Sequence, residues 1–316
     1  MRIGILTSGG DAPGMNTFIE GFVQATAQSS MEVIGIYRGY NGFFNKEYKQ
    51  LTPQLIRGIY RQGGSFLLAG RCEAFYQEEA RAEAVEEIMN LGLDVLLVVG
   101  GEGSLQGAGK LMEQGIKVMG IPGTIDNDVA GSDLSIGFYT GVETIMDSLD
   151  RIRDTAVSHD RTHVVEVMGR EAGMLASFGG YAGFAEYILV PEKQLNLDWL
   201  INDLSKRRAE GFYDHLIVVA EGTGQTELVR ERIVKELGIK ATLTVLGQIQ
   251  RGGKPTAMER MVARFFAKGA LDCLRKGITN VLLGTQQGQL QATALADSRQ
   301  VFLINIQNKY FLSNLG

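Results

Sequence analysis

The sequence predicts a doubly wound α/β protein, on three observations. Short apolar runs such as 2–8 (RIGILTS) and 94–99 (DVLLVV) lead at once into glycine clusters and then into segments with helical periodicity. From Val95 to Val99 every position is apolar, as a central parallel strand covered on both faces requires. The same alternation recurs along the chain, which is the pattern of parallel strands joined by crossover helices. At 316 residues the chain has room for two domains or one large bilobed unit.

The elements follow in order. The run 2–8 opens into Gly9-Gly10-Asp11, and a helix is expected over 15–27. Strand, glycine pair and helix together aim free amides at an anion. A second strand is expected over 32–37, then a loop at 38–42, then a helix over 53–61 with Pro53 in its first turn. Arg71 sits in the glycine-flanked loop 70–72, where a guanidinium fork suits phosphate. The segment 78–91 reads as an amphipathic helix stopped by Gly92. The strand 94–99 ends in Gly100-Gly101-Glu102-Gly103-Ser104, a carboxylate among glycines, and a helix runs to about 114. That spacing is neither a Walker A nor a Rossmann fingerprint. Beyond it, strands are expected over 163–168, 187–190, 215–220, 241–245 and 280–283, the last clear one. Helices are expected over 137–155, 172–181, 197–209, 226–237 and 256–274.

Composition narrows the function. With 45% hydrophobic and 21% charged residues and a net charge of −5, the chain does not look like a nucleic-acid binder. No apolar run approaches the roughly 20 residues needed to cross a bilayer. The N-terminus enters a strand directly and carries no cleavable signal pattern. The two cysteines, Cys72 and Cys273, lack metal-ligand spacing and suit a reducing compartment. A cytoplasmic protein is therefore expected. His159, His163 and His215 are scattered, without ligand spacing.

The organising stretch is 118–128, VMGIPGTIDND. It reads as a buried strand cut at Pro122-Gly123 and followed by an acid–amide–acid cluster. Ligands of α/β sheets gather beyond the carboxyl ends of strands. One of the two carboxylates, Asp126 or Asp128, can face a substrate hydroxyl while the other faces a metal or a neighbour. That suits proton acceptance beside a bound phosphate.

Six blocks taken together, 7–16 (TSGGDAPGMN), 100–104 (GGEGS), 122–128 (PGTIDND), 158–170 (SHDRTHVVEVMGR), 220–222 (AEG) and 245–253 (VLGQIQRGG), resemble bacterial ATP-dependent 6-phosphofructokinases, collinearly over almost the whole chain. The resemblance implies two doubly wound three-layer α/β/α lobes with the active site in the cleft between them. It places 1–136 with 249–300 in a nucleotide-binding lobe and 137–248 with 301–316 in a sugar-phosphate-binding lobe. It implies a homotetramer that transfers the γ-phosphoryl of Mg-ATP to the 1-hydroxyl of fructose 6-phosphate. ATP and Mg2+ would sit on Gly10, Tyr40, Arg71, Cys72, Gly101, Glu102, Gly103 and Ser104, with Glu102 toward the metal. Asp126 would be the base, flanked by Thr124 and Asp128, with Arg170 and Arg71 on the transferring phosphoryl group. Thr124, Asp126, Arg161, Met168, Gly169, Arg170, Glu221, Thr242, Gln248 and Arg251 match sugar-phosphate positions, Arg161 reaching a neighbouring subunit's site. Pyrophosphate-using relatives carry aspartate and lysine where Gly103 and Gly123 stand, so ATP is the expected donor.

Three departures from that family stand out. Glu102 replaces an aspartate, adding a methylene at the magnesium position, where geometry is strict. Thr242 and Gln248 replace an arginine and a histidine of the 6-phosphate pocket. Each charged hydrogen bond so lost weakens binding by about 1.5–3 kcal/mol. Glu20, Gln24, Pro53, Glu210 and Phe212 stand at basic positions of the family's effector site, and Phe184 at a glycine, while Arg153 is retained. No ordinary response to ADP or phosphoenolpyruvate is expected. A kinase for another sugar phosphate and a non-catalytic phosphofructokinase-like subunit remain open as alternatives.

Overall fold

The computed structural model describes residues 1–295. In chain order these form β1 (Arg2–Ser8), α1 (Met15–Thr26), β2 (Glu32–Ile36), α2 (Asn41–Phe44), β3 (Tyr48–Gln50), α3 (Glu78–Asn90), β4 (Val95–Gly100), α4 (Glu102–Glu113), β5 (Val118–Thr124), β6 (Ile136–Gly137) and α5 (Phe138–Ser158). They continue as β7 (Thr162–Val167), α6 (Met174–Ala182), β8 (Tyr187–Leu189), α7 (Leu197–Ala209), β9 (His215–Ala220), α8 (Thr226–Leu237), β10 (Ala241–Val245), α9 (Ala257–Arg275), β11 (Val281–Gln286) and β12 (Gln289–Ala294). Among the described residues, Met1–Thr140 and 251–295 make one compact unit, and Gly141–Gln250 makes another. The assignment of 301–316 to the second lobe lies outside the described residues.

The first unit is a mixed sheet in the order β12-β11-β5-β4-β1-β2-β3, with β6 paired to the end of β5. Its interior strands are parallel, while β3 and β12 run antiparallel at the edges. Successive side chains alternate between faces. Leu6, Leu96 and Val98 therefore join Phe43, Ala84, Ile88, Leu105 and Leu111 in a core under α2, α3 and α4. On the other face Val99 meets Met15 of α1 across Gly123, and α1 packs on α9. Phe18, Phe22 and Phe266 are fully buried there. Each such side chain contributes about 1.5–3 kcal/mol of transfer free energy.

The second unit is a parallel sheet, β10-β7-β9-β8. Val164, Ile217 and Val219 pack with Leu200, Leu204, Val229 and Ile233 of α7 and α8 on one face. On the other face α6 is held close between the sheet and α5. A Cβ at Gly180 would lie 2.9 Å from Ile188, and one at Gly179 2.5 Å from Ile145.

Three expectations are corrected. Residues 53–61 are turns with a short 3-10 segment, Ile59–Arg61, and no α-helix, because Gly58 takes φ +89. β5 does not stop before Pro122 but runs to Thr124. Proline is tolerated there because the strand is ending and its next ladder, to β6, begins only at Gly123. The strand near 280–283 is not the last, since it continues to Gln286 and returns as β12 through a hairpin.

Candidate active site

In the first unit, Ser8 pairs with Gly100 and Gly100 with Pro122. The turns after β1, β4 and β5 thus leave three neighbouring parallel strands at one carboxyl edge. From β1 the chain moves outward to β2, then returns to β4 on the other side of β1. That reversal is where doubly wound sheets open a ligand crevice. The turns touch: a Cβ at Gly9 would lie 2.8 Å from the Ser104 hydroxyl, and one at Gly101 3.5 Å from Thr124.

The start of α4 supplies an electropositive end with first-turn amides. Gly101 is its N-cap, and Ser104 and Leu105 donate their N–H to its carbonyl at 3.0 and 3.1 Å. Glu102 is exposed and accepts from Gln106 Nε2 at 3.0 Å. Gly103 has no atom within 4 Å of the place a Cβ would take, so packing does not require glycine there.

Tyr40, expected to touch nucleotide directly, is 3% exposed. Its ring stacks on Phe75 at 4.0 Å, and its hydroxyl donates to the Ser104 carbonyl at 2.6 Å. It therefore supports the 101–104 turn, and burial pushes its phenol well above the usual range. Cys72 is buried nearby, and that burial raises its thiol. Arg71 is exposed, with its carbonyl held by Asn41 Nδ2 at 3.1 Å.

The turn after β5 is rigidly made. Thr124 Oγ1 donates to Asp126 Oδ2 at 3.2 Å and accepts the Asp126 N–H at 3.2 Å. Asp126 is 2% exposed and Asp128 is half-buried. Asn127 adopts φ 53, a left-handed conformation that asparagine tolerates. Its Nδ2 donates to the Asp133 carbonyl at 2.9 Å, while the Ser135 hydroxyl donates to the Thr124 carbonyl at 2.5 Å. The amide between the two acids is thus structural.

In the second unit, β7 and β9 end together, Val167 beside Ala220. Met168 N–H donates to Gln250 Oε1 at 3.2 Å, and Arg170 N–H to Glu221 Oε1 at 2.8 Å. Gly169 and Arg170 take φ 140 and φ 53. A Cβ at Gly222 would lie 2.1 Å from the Arg170 carbonyl, so these two turns close on each other. Met168, Gly169, Arg170 and Glu221 are therefore brought together. Gln250 was not anticipated from sequence, yet it is fully buried and props the Met168 turn.

Arg161 and Thr242 lie elsewhere. Arg161 precedes β7, and Thr242 pairs with His163 near that same amino end. Met168 is at the other end of the strand, roughly 20 Å away at about 3.3 Å per residue. Gln248 is exposed in the 3-10 segment Gly247–Arg251. Arg251 belongs to the first unit, where its guanidinium lies against Gly10, 3.6 Å from Asp11 Oδ1 and 3.3 Å from the Asp11 carbonyl.

The altered effector positions are also placed. Glu20 is 3% exposed, accepting N–H from Gly58 and Tyr60 at 3.0 and 2.9 Å and the Gln24 amide at 2.8 Å. Arg153 pairs with Glu186 at 2.9 Å and Asp214 at 3.5 Å and donates to the Phe184 carbonyl at 2.8 Å. Phe184 and Phe212 are 85% and 60% exposed.

Among the described residues no helix is long and apolar enough to cross a membrane, and no group of three or more His, Cys, Asp or Glu is arranged to hold a metal.

The phosphofructokinase family model matches residues 2–274. The chain is 41% identical over 312 residues to the ATP-dependent 6-phosphofructokinase of Bacillus pumilus, covering 99% of this chain and 98% of that one. It is 42% identical over 289 residues to the enzyme of the same name from Shouchella clausii, covering 92% and 91%. A structure of Pichia pastoris phosphofructokinase in the T-state superposes with TM-score 0.88 at 32% identity, over 94% of this chain and 35% of that one. This chain thus spans about a third of the yeast chain. A pyrophosphate-dependent phosphofructokinase from Nitrosospira multiformis shares the fold, with TM-score 0.85 at 19% identity over 95% and 84%. The chain belongs to the phosphofructokinase family.

Proposed function

We propose that this chain is an ATP-dependent 6-phosphofructokinase, transferring the γ-phosphoryl of ATP to the 1-hydroxyl of fructose 6-phosphate. The observation that carries the reading is the buried Asp126 carboxylate, oriented by Thr124 at a strand edge shared with two glycine turns. Relatives more than 40% identical over nearly their whole length bear that name.

Asp126 accepts the proton of the attacking hydroxyl, and the Thr124 hydroxyl holds its second oxygen in place. Asp128 flanks the reacting group. The α4 amides, with Gly10, Gly101, Gly103 and Ser104, cradle the phosphates, and open space at Gly103 admits the α-phosphate. Arg71 and Arg170 carry the guanidinium charge that the equatorial oxygens need. Met168, Gly169, Glu221, Gln248 and Arg251 hold the sugar phosphate.

A magnesium ion would be held on the protein side by Glu102 and would supply positive charge against the phosphates during transfer. Glu102 fits that task as a single carboxylate, because magnesium takes one or two from protein and the rest from phosphate and water. Gln106 leaves it one oxygen in reserve. The family resemblance implies a homotetramer in which Arg161 serves a second copy's site, and the position of Arg161 and Thr242 at the far end of β7 from Met168 supports that reading. Arg153 is neutralised by Glu186 and Asp214, and Glu20 is satisfied internally, so neither invites an anionic effector.

Purified protein supplied with Mg-ATP and fructose 6-phosphate should form fructose 1,6-bisphosphate and ADP in equal amounts. Nucleotide consumption without the bisphosphate would overturn the reading.

A further inference from the structure

We propose that Glu259 is a positioning residue for the phosphoryl transfer, acting through Gly137 and Thr124 on Asp126; this rests on the kinase reading above. Glu259 lies in the first turn of α9 and is fully buried. Its Oε1 accepts the Gly137 N–H at 2.7 Å, and its Oε2 the Thr140 N–H and hydroxyl at 3.1 and 3.3 Å. In return the Thr140 hydroxyl accepts the Thr256 N–H at 3.3 Å. The motif Thr256-x-x-Glu259 is that of a capping box. In such a box the glutamate folds back on its own helix. Here it reaches across to the start of α5 instead, so two helix ends cap each other.

The consequence runs to the reacting group. Gly137 pairs with Thr124 in the short β5–β6 ladder, and Thr124 holds Asp126. Glu259 also packs against the end of the loop between β1 and α1, since a Cβ at Gly14 would stand 2.9 Å from its Cγ. One carboxylate therefore ties α9, the start of α5, the turn that carries the base and the loop after β1 into one frame.

The pair of oxygens matters because every partner is a donor. A neutral acid, or an amide, turns one donor against those donors and loosens the frame. Burial pushes the Glu259 carboxyl up to about 7, against the pull of the hydrogen bonds from Gly137 and Thr140. The ionisable side chain facing it is the Tyr139 phenol, raised by its own burial and by Glu259. A folded-state value above the ordinary carboxylate range means that ionisation costs stability as pH rises toward about 7. The fold thus gives up stability to hold the anion in place.

The test compares wild type with Glu259→Gln from pH 6 to 8, measuring kcat, both KM values and melting. The proposal expects kcat to fall about 10- to 100-fold with each KM within about threefold, as a misplaced reacting group does. It also expects the wild-type acid limb of kcat near pH 7 to vanish in the variant. A variant within twofold of wild-type kcat, or a slower one whose acid limb is unmoved, overturns it. If Glu259→Gln fails to fold, amide exchange at 137–140 in wild type decides. Once corrected for intrinsic rates, it should loosen as pH falls through about 7 in step with kcat, and pH-invariant protection overturns the proposal. A folded wild type that makes no bisphosphate overturns the kinase reading and this proposal with it; the outcomes above overturn this proposal alone.

Discussion

Arg161→Ala should cripple a site in a neighbouring copy while leaving its own chain's Asp126 usable. Arg161 and the Met168–Arg170 turn stand at opposite ends of β7, six residues long, so one chain cannot bring both to one sugar phosphate. Losing one charged hydrogen bond to the phosphate costs about 1.5–3 kcal/mol. At tenfold per 1.4 kcal/mol, KM for fructose 6-phosphate should rise about 10- to 150-fold, with KM for ATP nearly unchanged. The decisive assay mixes Arg161→Ala chains with Asp126→Asn chains, each almost inactive, by joint refolding or co-expression. In a randomly assembled closed oligomer, about a quarter of sites pair an intact base with an intact neighbouring arginine. Roughly that fraction of wild-type activity at low fructose 6-phosphate should return. A mixed assembly no more active than its unmixed parents would refute the shared-site reasoning, as would a KM change below about threefold in Arg161→Ala.

Gly103→Asp should fold with little change in Tm, because no atom lies within 4 Å of the new Cβ. Its carboxylate should raise KM for ATP at least tenfold by repelling phosphate, which steady-state kinetics will show. ADP and phosphoenolpyruvate should leave fructose 6-phosphate saturation unshifted, because Arg153 is already paired with Glu186 and Asp214; a clear change in midpoint or sigmoidicity would refute this. Burial lowers the pKa of His163 and His215 below the ordinary imidazole value of about 6.5. Both are more readily protonated in the unfolded chain, so their contribution is complete above pH 6.5 and is lost as pH falls below it. Melting temperatures measured from pH 7.5 to 5 should decline accordingly, and His215→Gln should flatten part of that decline.

Much of the fold was legible because it is written locally. The runs at Arg2–Ser8 and Val95–Gly100 are uninterrupted, apolar and closed by glycine, and both are central parallel strands. The 122–128 cluster was visible because a proline, a glycine and two acids gather where a buried strand ends. What escaped depends on contacts between residues distant in sequence. The amide between the two acids had no assigned role in the sequence, and its left-handed φ and its bond to Asp133 make Asn127 a brace. Residues 53–61 had the proline and periodicity of a helix, but Gly58 turns the backbone and Glu20, 38 positions earlier, takes its amides. Tyr40 matched a binding position, yet Phe75 and the Ser104 carbonyl claim its ring and hydroxyl. Gln250 carries no local signal, and the capping-box spacing of Glu259 points only to its own helix. Their importance comes from partners 82 and 122 residues away.

The central claim is that Asp126 takes the proton from the attacking hydroxyl. The most direct test is kcat of Asp126→Asn for fructose 1,6-bisphosphate formation under saturating Mg-ATP and fructose 6-phosphate. Asparagine keeps the shape and can still meet Thr124, so binding should survive while kcat falls about 10²- to 10⁴-fold. A folded variant that retains kcat within tenfold of wild type would contradict the account.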